Sequence, residues 1–400
     1  MSLSSGRSYL AIPGPSVIPD EVLRAMHRPS PNIYEGELIE ITKSVIPDLK
    51  YVAKTAENVA IYIANGHGAW EAALANIVEA GEQVLVAATG RFAHGWAEMA
   101  HRLGVSSEII EFGNQSPLEA GAIEDALRRD KDKKIKAVLI THVDTSTSVK
   151  NDVAAVRHAI DNADHPALLA VDCIASLGCD DFEMDAWGVD VMVAGCQKGL
   201  MVPPGLSFVY FSDKAKDGQK RLSRVSSYWD WAPRIAPELY YEYFCGTAPA
   251  HHIYGLRQAL DMIKSEGLEA IFQRHQTLAN AIWAAVDCWG SNDGTMKMNI
   301  SNPDHRSHAV TALSIGAPHG TRLRRWVEQN AGLTLGIGLG MNSEADPRAD
   351  GFFRIGHMGH VNAQMIMGLI GTIETALCAL NIPHGRGATD AAALKLASVF

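Results

Sequence analysis

The sequence lacks the patterns that mark membrane, secreted and zinc-binding proteins. Its six cysteines form no CxxC pair and have no zinc-ligand spacing, so they are typical of buried apolar residues in a reducing environment. No apolar run is long enough to cross a bilayer, and the first residues contain neither a basic region nor a signal cleavage site. We therefore expect a cytoplasmic protein with no membrane partner and no bound metal.

An excess of positive charge is also missing. The chain of 400 residues has 45 acidic and 35 basic residues, which gives a formal net charge of -10. An acidic surface has nothing to neutralise on a nucleic acid or an anionic membrane. With 47% hydrophobic residues the chain can bury a large core. These features indicate a globular protein that acts on small molecules.

Both common nucleotide-binding patterns are absent, although one glycine-rich turn is present. The stretch ANGHGAWEAALANI lacks GxGxxG with an acidic ribose anchor, and it lacks GxxxxGK[ST]. It nevertheless places Asn65, Gly66 and His67 between a predicted strand and a predicted helix, where backbone N–H groups and the helix dipole face an anion. This pattern favours a phosphate and disfavours dinucleotides and Mg-ATP.

The chain from about 58 to 212 alternates apolar, β-rich runs with segments of helical period. This alternation is typical of an α/β protein with a parallel sheet. The predicted strands are NVAIYIA (58–64), QVLVAA (83–88), SEIIEF (107–112), IKAVLIT (135–141), ALLAVD (167–172), DVMVAG (190–195) and LSFVYFS (206–212). From about 256 the pattern changes to that of a smaller α+β domain, and the stretch 336–351 is the best candidate for a mobile loop.

Two residues at neighbouring strand ends have complementary chemistry. Asp172 ends one buried strand, where a carboxylate needs a cationic partner, and Lys198 follows the next. A carboxylate beside a pyridine nitrogen keeps that nitrogen protonated and lets the ring accept electrons from a substrate. A partly desolvated lysine can form an imine and then act as a general base.

The motifs resemble those of a known enzyme family across nearly the whole chain. In order they are IPGPSVIP, GHGAWEAALAN, THVDTSTSV, VDCIASLG, GCQKGLMVPPG, IYGLRQAL and LTLGIGLG with FRIGHMGHVNA. They resemble the class V, fold type I aminotransferases that depend on pyridoxal 5'-phosphate, and among these the serine-glyoxylate and alanine-glyoxylate enzymes. The resemblance implies a large cofactor-binding domain at 21–255, with a seven-stranded sheet, and a small C-terminal domain at 256–400.

The resemblance also implies roles for individual residues. Lys198 would hold the cofactor as a Schiff base, and Asp172 would pair with its pyridine nitrogen. The other cofactor contacts would be Asn65, Gly66, His67 and Gln197 at the phosphate, Phe92 stacked on the ring, a hydroxyl contact from Thr145, and Thr247 from the partner subunit. The N-terminal segment 1–20 would also reach toward the partner of a homodimer.

Substrate recognition is expected to depend on a single arginine. Arg354 in FRIGHMG matches the arginine that binds the substrate carboxylate with two parallel hydrogen bonds. Tyr34 and the IPGPS segment would leave only a shallow pocket, so the expected donor is serine or alanine and the expected acceptor is glyoxylate or a similar small 2-oxo acid. Many relatives have Glu and Gly in place of Asp144 and Ser148, and some have Tyr in place of Phe244.

Alternative functions stay open on the sequence alone. A pyridoxamine-pyruvate aminotransferase shares the RIGHMG motif. A cysteine desulfurase needs a cysteine ahead of the arginine, and residues 331–353 contain none. From another class, a doubly wound nucleotide-binding oxidoreductase would hold a phosphate at the glycine-rich turn and leave Lys198 on the surface.

Overall fold

The computed structural model describes residues 2–343 and 345–400. Its strands are β1 (Tyr9–Ala11), β2 (Asn58–Tyr62), β3 (Gln83–Ala88), β4 (Ser106–Glu111), β5 (Ile135–Thr141), β6 (Leu168–Asp172), β7 (Val191–Gly195), β8 (Ser207–Phe211), β9 (Lys297–Met298), β10 (Val310–Ser314), β11 (Leu333–Ile337) and β12 (Phe352–Gly356). All seven strands predicted for the large sheet are present as β2 to β8.

Helices separate most of these strands. They are α1 (Asp20–Met26), α2 (Glu37–Val52), α3 (Gly66–Ile77), α4 (Arg91–Arg102), α5 (Ala120–Arg129), α6 (Val153–Asn162), α7 (Asp213–Gln219), α8 (Ala232–Ile235), α9 (Ala250–Glu266), α10 (Leu268–Trp289), α11 (His319–Ala331), α12 (Ala363–Ala379) and α13 (Ala388–Ala397). Short 3-10 helices occupy Tyr240–Tyr243, Pro303–His305 and Pro347–Gly351. No helix in the described ranges is both long and apolar enough to cross a membrane.

The large sheet has seven strands in the order β2-β8-β7-β6-β5-β3-β4. Only β8 runs against the others, because it pairs antiparallel with both β7 and β2. The remaining pairs are parallel. The prediction of an α/β protein with a mostly parallel seven-stranded sheet is therefore confirmed, and the carboxyl ends of six strands meet at one edge.

Alternate residues along the strands pack on opposite faces of this sheet. In β2, Val59 and Ile61 belong to the core under α2 and α9, whereas Ala60 and Tyr62 face the core under α3 and α4. The strands β6, β7 and β8 are buried along their whole length. Helices on both faces explain why these strands are continuous apolar runs.

A second, five-stranded sheet has the order β1-β11-β12-β10-β9 and its own apolar core with α10 and α12. The N-terminal strand β1 pairs in parallel with β11, so residues 9–11 are part of the C-terminal sheet of the same chain. The predicted loop at 336–351 begins inside β11 and ends in a 3-10 helix, and its residue 344 lies outside the described residues.

Candidate active site

A cavity of about 180 Å³ opens at the carboxyl ends of β2, β3, β5, β6 and β7. Most of the site residues predicted from the sequence line it, together with two that were not predicted. The lining residues are Asn65, Gly66, His67, Trp70, Phe92, Thr145, Asp172, Ile174, Gln197 and Lys198. The position at the strand ends is the one at which open parallel sheets bind ligands.

One end of the cavity is the N-terminus of α3. The Asn65 side chain caps the helix, and its Oδ1 accepts hydrogen bonds from the N–H groups of His67 and Gly68 at 3.1 and 3.3 Å. Gly66 lets the Ile174 side chain pack against the start of α3, because a Cβ atom there would lie 2.5 Å from Ile174 Cδ1 and the isoleucine would have to move. The helix dipole makes this end of the cavity suitable for an anion.

Gln197 supplies a polar group that a ligand of this cavity could bind. Its Oε1 is buried and has no hydrogen-bond partner among the described residues. An unpaired buried amide is costly in a folded protein, and it offers both a donor and an acceptor to a ligand. A phosphate-bearing cofactor fits this combination of a helix N-terminus and a free amide.

Asp172 ends β6 and is only 3% exposed. Its Oδ1 accepts the Ile174 N–H at 2.7 Å, and its Oδ2 accepts the Trp70 Nε1–H at 3.0 Å. Burial raises the pKa of Asp172 to about 7, because these hydrogen bonds do not offset the loss of water. No cation forms a salt bridge with Asp172 in the described part of the chain. A cationic ring nitrogen of a ligand would supply the missing charge.

Lys198 follows β7 and is 9% exposed. Its Nζ donates a hydrogen bond to the Pro13 carbonyl, and its backbone carbonyl accepts one from Ser16 Oγ at 2.7 Å. The segment after β1 therefore lies directly over this lysine. Burial, together with the positive charge of Arg354, lowers the pKa of Lys198 to about 8, although Asp172 acts in the opposite direction. Much of this amine is neutral slightly above neutral pH.

Arg354 lies on β12 and is 6% exposed. Its Nε donates to the Ile337 carbonyl and its Nη1 to the Thr145 carbonyl, each at 2.7 Å. No acid in the described ranges forms a salt bridge with it, and burial lowers its pKa to about 10. The two backbone carbonyls fix the guanidinium plane and leave its charge available to a carboxylate ligand.

Aromatic packing positions Phe92 in the first turn of α4. The Phe92 N–H donates to Asp144 Oδ2 at 2.9 Å, and its ring meets Trp70 edge-on with centroids 6.2 Å apart. Asp144 also accepts the Ser146 N–H at 2.9 Å. Asp144, one of the departures from the relatives' motif, therefore caps α4 and links it to the loop that carries Thr145.

Thr247 and Tyr34 lie outside this cavity. Tyr34 is 86% exposed, and both residues line a separate groove of about 530 Å³. The groove is completed by Ile33, Leu239, Tyr240, Tyr241, Gly246 and Ala248. Thr247 was expected to act from the partner subunit, so its role stays a prediction for the assembled dimer. Tyr34 does not contact the cavity of its own chain.

The sequence reasoning missed Trp70 and Ile174. Trp70 follows His67 by one helical turn, so that both point from the same face of α3. Ile174 comes two residues after Asp172, at the point where the chain turns back under α3. The helical spacing was a usable signal for Trp70, whereas nothing local indicated Ile174. In the described residues, no group of three or more His, Cys, Asp or Glu side chains could hold a metal ion.

Comparison with known proteins gives this geometry a family. The profile of the family described as aminotransferase class-V matches residues 9–355. The chain is 38% identical to a serine--glyoxylate aminotransferase of Methylorubrum extorquens over 99% of this chain and 96% of the relative. It is 36% identical to an L-aspartate--glyoxylate aminotransferase of Paracoccus denitrificans over 97% and 96% of the two chains. The crystal structure of an alanine--glyoxylate aminotransferase from Nostoc sp. matches with a TM-score of 0.83 and 26% identity, over 94% and 97% of the chains.

Proposed function

This chain belongs to the class-V aminotransferases, and from that premise we propose that it transfers the amino group of serine or alanine to glyoxylate. It is an enzyme of fold type I, and its cofactor is pyridoxal 5'-phosphate. The oxidoreductase alternative is wrong, since the family and the buried position of Lys198 both contradict it. The observation that carries the proposal is the buried Arg354, which has no acidic partner in the described ranges, donates to the carbonyl of the lining residue Thr145, and lies close enough to Lys198 to lower the pKa of that amine.

The residues of the cavity fit the cofactor at both ends. Asn65, Gly66, His67 and Gln197 would hold the phosphate, and Asp172 would hold the pyridine nitrogen. Phe92 would stack on the ring, and Lys198 is the amine to which the cofactor attaches. When bound, pyridoxal phosphate supplies an aldehyde that condenses with amines and a ring that accepts electrons from the substrate Cα.

The protein groups then bind the substrate and move its proton. Arg354 binds the substrate carboxylate in two hydrogen bonds, which fixes the amino acid relative to Lys198. Lys198 has a pKa of about 8, so part of it is a neutral amine that can take the proton from the substrate Cα. The same amine then donates the proton back later in the catalytic cycle. The same site serves the amino acid and the 2-oxo acid in turn, so ping-pong kinetics are expected.

The donor follows from the charges around the cavity. Arg354 donates a hydrogen bond to the carbonyl of the lining residue Thr145, and none of the residues that line the cavity is itself an arginine. Serine and alanine each have a single carboxylate, so they need only one arginine. Aspartate is a second candidate donor, because Arg91 lies in a groove that shares His67 and Phe92 with the cavity. Within the described ranges Arg91 forms no salt bridge, and a distal carboxylate would give it one.

The test is a comparison of kcat/KM for serine, alanine, aspartate and pyridoxamine as donors, with glyoxylate and pyruvate as acceptors. We expect serine or alanine with glyoxylate to be the fastest pair. Arg91→Met should leave serine turnover unchanged and, if aspartate is a substrate, should reduce aspartate turnover selectively. Fastest turnover of pyridoxamine with pyruvate would refute the glyoxylate proposal and identify the protein as a pyridoxamine-pyruvate aminotransferase.

We also propose a cytoplasmic homodimer with active sites completed across the interface. The support is the apolar groove around Tyr34 and Thr247, where Leu239 and Tyr241 are 57% and 54% exposed. A groove with several exposed aromatic and aliphatic side chains is typical of a protein interface. A partner seated there would bring Thr247 toward the other chain's phosphate end.

A further inference from the structure

We propose that Trp70 is the positioning residue for Asp172. Both oxygens of the Asp172 carboxylate have one protein donor, the Ile174 N–H at 2.7 Å and the Trp70 Nε1–H at 3.0 Å. Two donors on two oxygens fix the plane of a carboxylate. The orientation of Asp172 toward the cavity therefore depends on the indole as well as on the backbone.

The indole is held rigidly by its own neighbours. Trp70 is 1% exposed and stacks on Trp96 with ring centroids 6.0 Å apart and planes 15° apart. Gly95 leaves the space for it, since a Cβ atom there would lie 3.2 Å from the indole. The His67 ring covers another side at 4.7 Å between centroids. Trp70 cannot turn its N–H away from Asp172 without displacing these groups.

The hydrogen bond is not a general consequence of burying a tryptophan in this protein. Trp96, Trp231 and Trp289 are as deeply buried as Trp70, and each has an Nε1 atom without a partner among the described residues. In this core the indole N–H is therefore tolerated without an acceptor. The indole N–H of Trp70 instead donates to Asp172, the one carboxylate expected to contact the cofactor.

The physical effect is on the charge as well as the position of Asp172. A donor to a carboxylate stabilises its ionised form, so the indole opposes the rise in pKa that burial causes. Trp70 also meets the Phe92 ring, so it would link the carboxylate that pairs with the cofactor nitrogen to the aromatic ring that stacks on the cofactor. The inference rests on the proposed pairing of Asp172 with the cofactor.

The experiment compares Trp70→Phe with Trp96→Phe, which alters the same aromatic stack but removes no hydrogen bond to Asp172. Cofactor dissociation constants are measured on the cofactor-free protein at about pH 6 and about pH 8.5. Without the indole donor the pKa of Asp172 rises, so Trp70→Phe should weaken cofactor binding more at the lower pH. Its kcat should fall about 10- to 100-fold, the range for a lost hydrogen bond to a charged group, with a much smaller change in KM.

A purely structural role predicts a different pattern. In that case cofactor binding would weaken by the same factor at both pH values, or Trp96→Phe would match Trp70→Phe, and either result overturns the inference. If Trp70→Phe fails to fold, 3-benzothienylalanine at position 70 keeps the size of the ring and lacks the N–H, so it must give the same pH-dependent loss. Asp172→Asn tests the underlying pairing separately. If that variant binds and reacts like the parent, the proposed role of Asp172 fails, whatever Trp70 does.

Discussion

Replacing Asp172 by asparagine should stabilise the cofactor-free protein at alkaline pH while impairing the enzyme. The pKa of Asp172 is about 7 against an ordinary value of 3.8. The folded protein therefore binds a proton more tightly than the unfolded chain, and its stability falls as the pH rises from about 4 to about 7. The full loss is about 4 kcal/mol. Asparagine cannot ionise, so it avoids this loss.

The substitution also has a cost that does not depend on pH. Asparagine has one acceptor oxygen in place of two, so either the Trp70 N–H or the Ile174 N–H loses its partner. An unpaired buried donor costs about 1–3 kcal/mol. We therefore expect Asp172→Asn to be more stable than the parent by about 1–3 kcal/mol near pH 8. Near pH 4, where the parent has not yet lost stability, the variant should be less stable.

The assay is urea unfolding of the cofactor-free proteins at fixed protein concentration, between about pH 4 and about pH 8. Asp180 supplies the matched control. It is 1% exposed and accepts hydrogen bonds from Ser307 Oγ and the His308 N–H at 2.7 and 2.8 Å. Burial raises the pKa of Asp180, but the nearby charges of His308 and Lys150 outweigh burial and hold it below its ordinary value.

The control should behave in the opposite way. A carboxylate with a lowered pKa stabilises the folded protein at neutral pH and loses that effect in acid. Asp180→Asn should therefore be less stable than the parent at neutral pH, and the difference should shrink as the pH falls. If the difference between Asp172→Asn and the parent does not change with pH, Asp172 carries no burial penalty and the reasoning is refuted.

Three further predictions concern the cofactor lysine, the substrate arginine and the dimer. Lys198→Ala should fold normally but show no transamination, because the cofactor's attachment and the proton carrier are both lost; single-turnover spectra with serine test this, and near-normal rates would contradict it. Arg354→Ala should weaken binding of carboxylate substrates by about 2–5 kcal/mol, as measured by KM and inhibitor constants, and loss of the cofactor instead would show a structural role. The protein should be a dimer by light scattering, and a fully active monomer would exclude a shared site. Thr247→Ala should weaken cofactor binding while the protein stays dimeric.

The sequence was sufficient for the large sheet because its signals are local. Strands such as β5 and β6 are short apolar runs ended by polar residues, and the strand ends alone placed Asp172 and Lys198 at one edge. The small domain was predicted less completely. Strand β11 contains a glycine and leads into a glycine-rich stretch, so the sequence predicts a loop from residue 336, inside the strand, and gives no separate signal for β11. Strand β11 pairs with β1, which is far away in the chain, and the local pattern of apolar residues cannot predict such a contact.

The hydrogen bonds that position the charged site residues could not be predicted from the sequence either, because they also join distant parts of the chain. Pro13 meets Lys198 across 185 residues, and Thr145 meets Arg354 across 209. The motifs that contain these residues were recognised, but their partners depend on how the N-terminal segment and β12 are placed by the two cores. The departure at Asp144 is understood only with the structure, where its carboxylate caps α4 at the Phe92 N–H.

The charged groups of the site share one property that suits them to binding a charged ligand. Asp172, Lys198 and Arg354 are each buried, and the partners that hold them are neutral dipoles: an indole N–H, an amide N–H and three backbone carbonyls. Opposite charges would fix these side chains as firmly but would cancel the fields that a ligand needs. Neutral partners fix the geometry, and in the described ranges none of the three charged groups forms a salt bridge. A phosphate-bearing aromatic cation and an amino acid carboxylate would therefore supply the opposite charges that Asp172 and Arg354 lack.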